Sequence, residues 1–453
     1  VSDPLIDAEV EQQSKAPSIA VRAFKTITQF VSDPAAHALV FEFGFLSGST
    51  FFCQAANLTA SLYMARLLGP THFGIWTALL VATSYGPSLT AGVLNAMSLL
   101  IPLRRGRSEL DNIADVAAAG ALSIGLVIVG GGLFGLAYGY FGASGITRTA
   151  VWLTIPYFAA YLCQVFIQAY LRAQKRFSLI SWQLSAQGVG FLAIAIPLTR
   201  LWGLPGCIVG MTATVALSAL IGASHIRLRV AFRHFAMLPS MSRLGIPIVA
   251  VGAVHVFLYT FDRWIVLWML GTRDLGLYAF AVRIASVSLL VAGVLADQTY
   301  PRMAEAYGRT GSVSALRSYV NRQLALTAAL LAPGVVLVGV AAVPFTRSLF
   351  PQYLGTLGVL RIYLLSYVVL ALAGPFGCLL NVIQKQRVYL SIQGLVFLFQ
   401  ITLVTVFVKS GFGLSGVAMG CSIGYVAYVC ALASISYGML RSAARQDRCP
   451  DPA

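Results

Sequence analysis

Hydrophobic residues along the chain stand in long unbroken blocks, and polar residues cluster in the short stretches between them. The blocks run over residues 44–68, 74–102, 113–141, 149–171, 179–199, 203–224, 245–270, 275–300, 323–350, 356–381, 389–409 and 412–438. Each can cross the ~30 Å hydrocarbon core of a bilayer as a helix, which takes ~20 residues. They are too long and too uniformly apolar to be the ~10-residue alternating strands of a membrane barrel. The pattern predicts an all-α, polytopic membrane protein of about twelve spans, numbered here 1 to 12 in chain order.

Composition points the same way. Hydrophobic residues make up 58% of the 453 and charged residues 10%, against roughly 45–50% and 25% in soluble domains. Mean hydropathy is +0.81. A soluble fold of this size has nowhere to hide that much apolar surface, so lipid is its solvent.

The net charge of +16 then reads as topology. Lys and Arg are retained on the cytoplasmic side of a membrane. The N-terminal arm, the loops after even-numbered spans and the C-terminal tail hold twenty-two of them, and the loops after odd-numbered spans hold five. Both termini are therefore expected in the cytoplasm, and a nucleic-acid partner is not needed to explain the charge. The arm, residues 1–43, has no contiguous apolar core of a signal peptide. Ala20, Val21, Phe24, Ile27 and Val31 share one helical face in it, beside Arg22 and Lys25, and predict a helix lying on the inner leaflet.

Several chemistries are absent. No cysteine pair has C-x-x-C spacing, and six of the seven cysteines fall inside spans, where they read as small apolar residues. The five histidines form no i, i+4 ligand pair, and no Walker loop exists. The longest loop, about residues 301–322, is too short for a catalytic domain. No cofactor is expected beyond a coupling ion, Na+ or H+.

One short pattern occurs twice. Residues 68–76 read LGPTHFGIW and residues 270–278 read LGTRDLGLY, 202 positions apart. Each copy joins two spans, 1 to 2 and 7 to 8. Gln174-Lys175 after span 4 is echoed by Gln384-Lys385 after span 10. Spans 1–6 and 7–12 thus read as two copies of one six-helix lobe. Six is even, so both copies enter the membrane in the same direction and their pseudo-two-fold axis runs along the membrane normal. The expected division is an arm (1–43), an N-lobe (44–226), a linker (227–244), a C-lobe (245–440) and a tail (441–453). In each copy the second glycine and its aromatic neighbour are expected to start a helix at the outer interface.

The stretches ARLLGPTHFGIW and FDRWIVLWMLGTRDLGLYAFAVRIA, with the proline at Pro301, resemble the Wzx-type polysaccharide-biosynthesis flippases. These belong to the multidrug/oligosaccharidyl-lipid/polysaccharide exporter superfamily. The resemblance covers essentially all twelve spans. It implies a V-shaped, multidrug-and-toxin-extrusion-like fold that moves an undecaprenyl-diphosphate-linked oligosaccharide from the cytoplasmic to the periplasmic leaflet by alternating access. It also implies a role in exopolysaccharide, O-antigen or capsule synthesis, beside membrane lipids and partners such as a polysaccharide polymerase and a chain-length regulator.

Charges inside spans are costly and mark candidate sites. Asp262 and Arg263 in span 7 and Arg283 in span 8 lie at one depth, ~10–14 Å below the turn at Gly271 and Gly276. Guanidinium groups there suit a diphosphate, which they bind in a bidentate fork. The alternative is an Asp262–Arg283 salt bridge that holds the hairpin together. Thr50, Gln54, Asn57 and Ser61 share one face of span 1, and span 2 carries Thr77, Ser84, Ser88 and Asn95. These are expected to line a hydrated cavity for sugar hydroxyls, although interhelical hydrogen bonds use the same residue types. Asp297, 14 residues after Arg283, is a candidate for ion coupling, as is Asp262; a solvated carboxylate paired with Arg302 is the plainer account of Asp297. Gly131, Gly135 and Gly139 in span 3 predict close helix packing, and Pro87 and Pro247 predict bends.

Two other function classes fit the fold less well. A multidrug/cation antiporter should offer acidic residues in its cavity, and here arginines balance or outnumber them. An integral-membrane glycosyltransferase, polymerase or ligase needs a large periplasmic loop, which the sequence lacks.

Overall fold

The computed structural model describes residues 34–106, 110–226 and 231–446. The amphipathic face expected in the arm lies outside the described residues.

The first helix, α1 (Pro34–Ser84), is one run of 51 residues, ~77 Å if straight at 1.5 Å per residue. That exceeds twice the ~30 Å hydrocarbon core. The run breaks at Gly69, with φ 70 and ψ 170, and so supplies spans 1 and 2. A 3-10 turn at Gly86–Thr90, with Pro87 in its first turn, bends span 2 by 52° before α2 (Val93–Gly106) completes it. The bend expected at Pro87 is present.

Helices α3 (Leu110–Phe141) and α4 (Gly145–Ala173) form spans 3 and 4. The span 3 glycines face α4. A methyl group on Gly131 would meet Phe158 at 2.4 Å, and one on Gly139 would meet Trp152 at 2.3 Å. Next, α5 (Phe177–Gly190) passes through a π turn into α6 (Ile196–Ala223), which breaks at Gly203 with φ 61 and ψ −133. Ala195 abuts Gly210, Thr214 abuts Gly190, and Gln183 bonds to the Ser218 carbonyl. These pairings run in opposite senses from Gly203, so the chain folds back there and makes spans 5 and 6.

The second half repeats the scheme. Span 7 is α7 (Leu238–Met269), a single helix that carries Pro247 in its third turn. Span 8 is α8 (Thr272–Ala285) followed by α9 (Val287–Thr310). The latter runs ten residues into what the sequence reads as the longest loop. Span 9 is α10 (Arg317–Leu349), and span 10 is α11 (Leu357–Ala371) with α12 (Gly374–Val382). Spans 11 and 12 are α13 (Gln386–Phe407) and α14 (Gly413–Gln446), joined by a second π turn and two positive-φ glycines, Gly411 and Gly413. Val404 abuts Gly420 and Gln400 abuts Gly424, the same fold-back as at Gly203. Among the described residues, eight stretches are long and apolar enough to cross a membrane, or nine with the bent pair. The three that turn back at glycines bring the passages to twelve.

The echo at Gln174 and Gln384 is one residue out of register. Both helices end in the same cap, but the left-handed residue is Lys175 in one and Gln384 in the other. The closing bonds are Arg176 N to Leu171 O and Lys385 N to Leu380 O, each 2.9 Å. The cap recurs; the dipeptide match does not mark equivalent positions.

One buried cluster gathers residues from 258 to 440, with Tyr278, Tyr363, Tyr367 and Tyr425 at its centre. Another lies within the first half and reaches to Met241. A third joins the halves, combining Met64, Phe73 and Trp76 with Phe280, Phe350 and Tyr353. Of the cysteines, Cys430 is exposed and Cys163 half-buried, unlike the fully buried Cys53, Cys207, Cys378 and Cys421.

Candidate functional site

The three mid-depth charges are divided unequally. Asp262 is completely buried. Its Oδ1 accepts the Arg263 backbone N–H at 2.9 Å and the Arg263 guanidinium at 3.1 Å. Its Oδ2 accepts the Tyr278 hydroxyl, and Tyr363 OH lies 3.3 Å from the same oxygen while also bonding Tyr278. The carboxylate is thus saturated from within the second half of the chain. Arg263 also donates to the Tyr259 carbonyl, and its side chain is 16% exposed. This is a charge pair neutralised in place.

Arg283 stands apart. The Asp262–Arg283 salt bridge considered from sequence is not formed: Asp262 pairs with Arg263, its neighbour on the same helix. Arg283 instead donates from α8 to the side-chain oxygen of Asn57 on α1, across the two halves. Its Nε is buried with no hydrogen-bond partner. A guanidinium with a neutral amide for company and an orphaned donor carries an uncompensated positive charge at bilayer depth. That is the condition under which an anion is attracted.

The polar stripe of span 1 is split. Asn57 reaches Arg283, Ser61 is half-buried, and Gln54 is exposed. Thr50 returns its hydroxyl to the Leu46 carbonyl at 2.7 Å and is spent on its own helix. The buried face of span 1, Cys53, Ala56, Ala60 and Met64, lies about a quarter turn away, so the stripe flanks the packed face. In span 2, Thr77 and Ser84 also bond their own helix, to Phe73 and Val81. Ser88 and Asn95 are half-buried. Asp297 falls on α9, and its side chain lies outside the described residues.

Sequence reasoning overlooks the tyrosines. Tyr278 is the aromatic of the second repeated motif, expected as an interface anchor, yet it is fully buried on Asp262. Its counterpart Trp76 is 2% exposed. A tyrosine several residues inside a span has no water to reach, and that is the signal that would have found it. Tyr85 also escapes notice. Its hydroxyl meets Thr260 at 2.5 Å and accepts from Trp264 Nε1 at 3.1 Å, and its ring stacks on Phe257 at 4.7 Å. Span 2 and span 7 are tied there at mid-depth.

Paired halves of six passages meet along spans 1, 2, 7 and 8 beside Arg283, which has no carboxylate partner among the described residues. Solved structures agree on that fold. An inward-facing multidrug resistance transporter of the MATE family, in the MOP superfamily, superposes with a TM-score of 0.69 at 16% identity, over 88% of this chain and 95% of its own. The lipid II flippase MurJ in an inward closed conformation gives 0.64 at 16% identity, over 90% and 93%. A MATE structure in a bent conformation gives 0.59 at 16% identity, over 93% and 98%. No curated protein sequence matches the chain. The family model described as polysaccharide biosynthesis protein matches residues 40–307, and the chain belongs to that family.

Proposed function

We propose that the protein is a flippase that carries an undecaprenyl-diphosphate-linked oligosaccharide from the cytoplasmic to the periplasmic leaflet of a bacterial inner membrane, with both termini cytoplasmic. The observation that carries this reading is Arg283, a guanidinium between the halves with no carboxylate partner among the described residues. A diphosphate supplies two anionic groups to such a site, and Arg263 at 16% exposure can add a second contact. Asn57, Gln54 and Ser61 on span 1, with Ser88 and Asn95 on span 2 of the same half, would serve the sugar. Thr50 has a weaker claim, since its hydroxyl is engaged.

The lobes of the cycle would be residues 44–226 and 245–440, with 227–244 as linker, and a polymerase and chain-length regulator would receive the product. A cation antiporter is the poorer reading, because Asp262, the one fully buried acid among the described residues, is already bonded by Arg263, Tyr278 and Tyr363 and offers a drug or sodium ion no free oxygen. Coupling through Asp262 is disfavoured on the same ground, since protonating it would strand Arg263. Asp297 is the remaining candidate. If flipping by Asp297→Asn responds to collapsed ion gradients as the parent does, the coupling role is refuted.

The substrate class is tested by thermal shift of the detergent-purified protein. A lipid-linked diphosphate oligosaccharide should raise the unfolding temperature of the parent and not of Arg283→Ala. Stabilisation by ethidium, with none by the diphosphate lipid, would support the antiporter instead.

A further inference from the structure

The repeated turns do more than mark the two halves. A methyl group built on Gly74 would lie 1.8 Å from the Thr272 carbonyl oxygen and 2.9 Å from Gly276 N. One on Gly276 would lie 1.8 Å from the Pro70 carbonyl oxygen and 3.0 Å from Gly74 N. Pro70 and Thr272 are 202 positions apart, as are Gly74 and Gly276. The contact is therefore reciprocal: each copy of the motif presses the same backbone patch against the other, as across a two-fold axis. Glycine is required at both positions because backbone meets backbone.

A second contact closes the same face. Pro70 has no N–H, so the Arg66 carbonyl at the end of span 1 has lost its helical donor. Gln352, in the 3-10 segment Pro351–Thr356 between spans 9 and 10, donates to that carbonyl at 2.9 Å. Tyr353 OH donates to the Ala65 carbonyl at 2.8 Å. The Tyr353 ring is fully buried, stacked on Phe280 at 4.3 Å and edge-on to Phe73 at 6.5 Å. These bonds join the two halves through groups that water can satisfy equally well once they part.

We propose that Gly74, Gly276, Gln352 and Tyr353 form the gate of the turn-bearing face, closed in this structure and parted once in every transport cycle. The proposal rests on the flippase reading for what passes through the gate, but its opening can be measured without substrate. The clash a methyl group introduces lies between the halves and not inside either one. Gly74→Ala and Gly276→Ala should therefore fold normally and fail to close.

The test starts from a variant with its native cysteines replaced by alanine and Asn57→Cys added below the gate. Labelling by a membrane-impermeant maleimide applied to the turn-bearing face of sealed cells should rise by roughly tenfold in Gly74→Ala and Gly276→Ala, a population shift toward the open state. Unchanged labelling in both would overturn the gate. In a second arm, the cysteine-free protein with Asn57 intact carries Arg66→Cys and Gln352→Cys, which are joined by a thiol-cleavable bifunctional reagent. Cross-linking should stop flipping, and cleavage should restore it. A cross-linked protein that flips at the parental rate overturns the proposal. If the uncross-linked protein flips nothing, the transport reading fails while the labelling arm still decides the gate.

Discussion

Arg263 and Arg283 occupy one depth, and their side-chain partners assign them different work. Arg263 neutralises a fully buried carboxylate, so its removal leaves Asp262 charged and uncompensated. Breaking a buried pair from one side costs roughly 3–5 kcal/mol. We expect Arg263→Ala and Asp262→Asn each to lower the thermal unfolding midpoint in detergent sharply. The double change, Arg263→Ala with Asp262→Asn, should cost less than the sum, as coupled neighbours do. Equal and additive losses would mean that the pair does not act as a unit. Arg283 answers to a neutral asparagine, so Arg283→Ala should leave the midpoint close to that of the parent. A hydrogen bond to a charged group is worth about 1.5–3 kcal/mol, so flipping should slow roughly 10- to 100-fold if that bond is made in the rate-limiting state. The sequence places both arginines at the right depth. It cannot tell which one Asp262 takes, because adjacent residues on a helix and residues across a hairpin are equally close on paper.

The spans are legible at the scale of elements because lipid imposes a length on every apolar run. The turns that fold long helices back are legible as well: Gly69, Gly203, Gly271 and Gly411 all take positive φ. Less legible is how tightly the returning strands of chain approach. A methyl group on Gly206 would stand 1.9 Å from the Leu198 carbonyl oxygen, a backbone atom that cannot swing aside. Gly206→Ala should therefore destabilise the span 5–6 hairpin and lower the yield of folded protein by size-exclusion chromatography. Gly252→Ala, with open space around it, should not. Equal behaviour of the two variants would contradict the close approach. The π turns at Phe191–Ala195 and Val408–Phe412 carry no residue signature and are invisible to periodicity. They do not occupy equivalent places: the first ends eight residues ahead of the fold-back at Gly203, and the second contains the fold-back residue Gly411 itself.

At the scale of the whole molecule, the repeated motif places both turns on one face, and the reciprocal contact of Gly74 and Gly276 confirms that they meet there. The distribution of Lys and Arg predicts that this face is periplasmic. An alkaline phosphatase fused within 351–356 should be active, and one fused after Arg445 should be inactive; the reverse pattern would invert the topology. The central claim is transport of a diphosphate-linked glycan through a path that depends on Arg283. Its most direct measurement is flipping of a purified undecaprenyl-diphosphate oligosaccharide in proteoliposomes, read by exposure of the glycan to an external glycosidase. The account predicts rapid exchange with the parent protein, little with Arg283→Ala at equal reconstitution, and none in empty vesicles. Exchange by Arg283→Ala at the parental rate, or a parent no faster than empty vesicles, would contradict it.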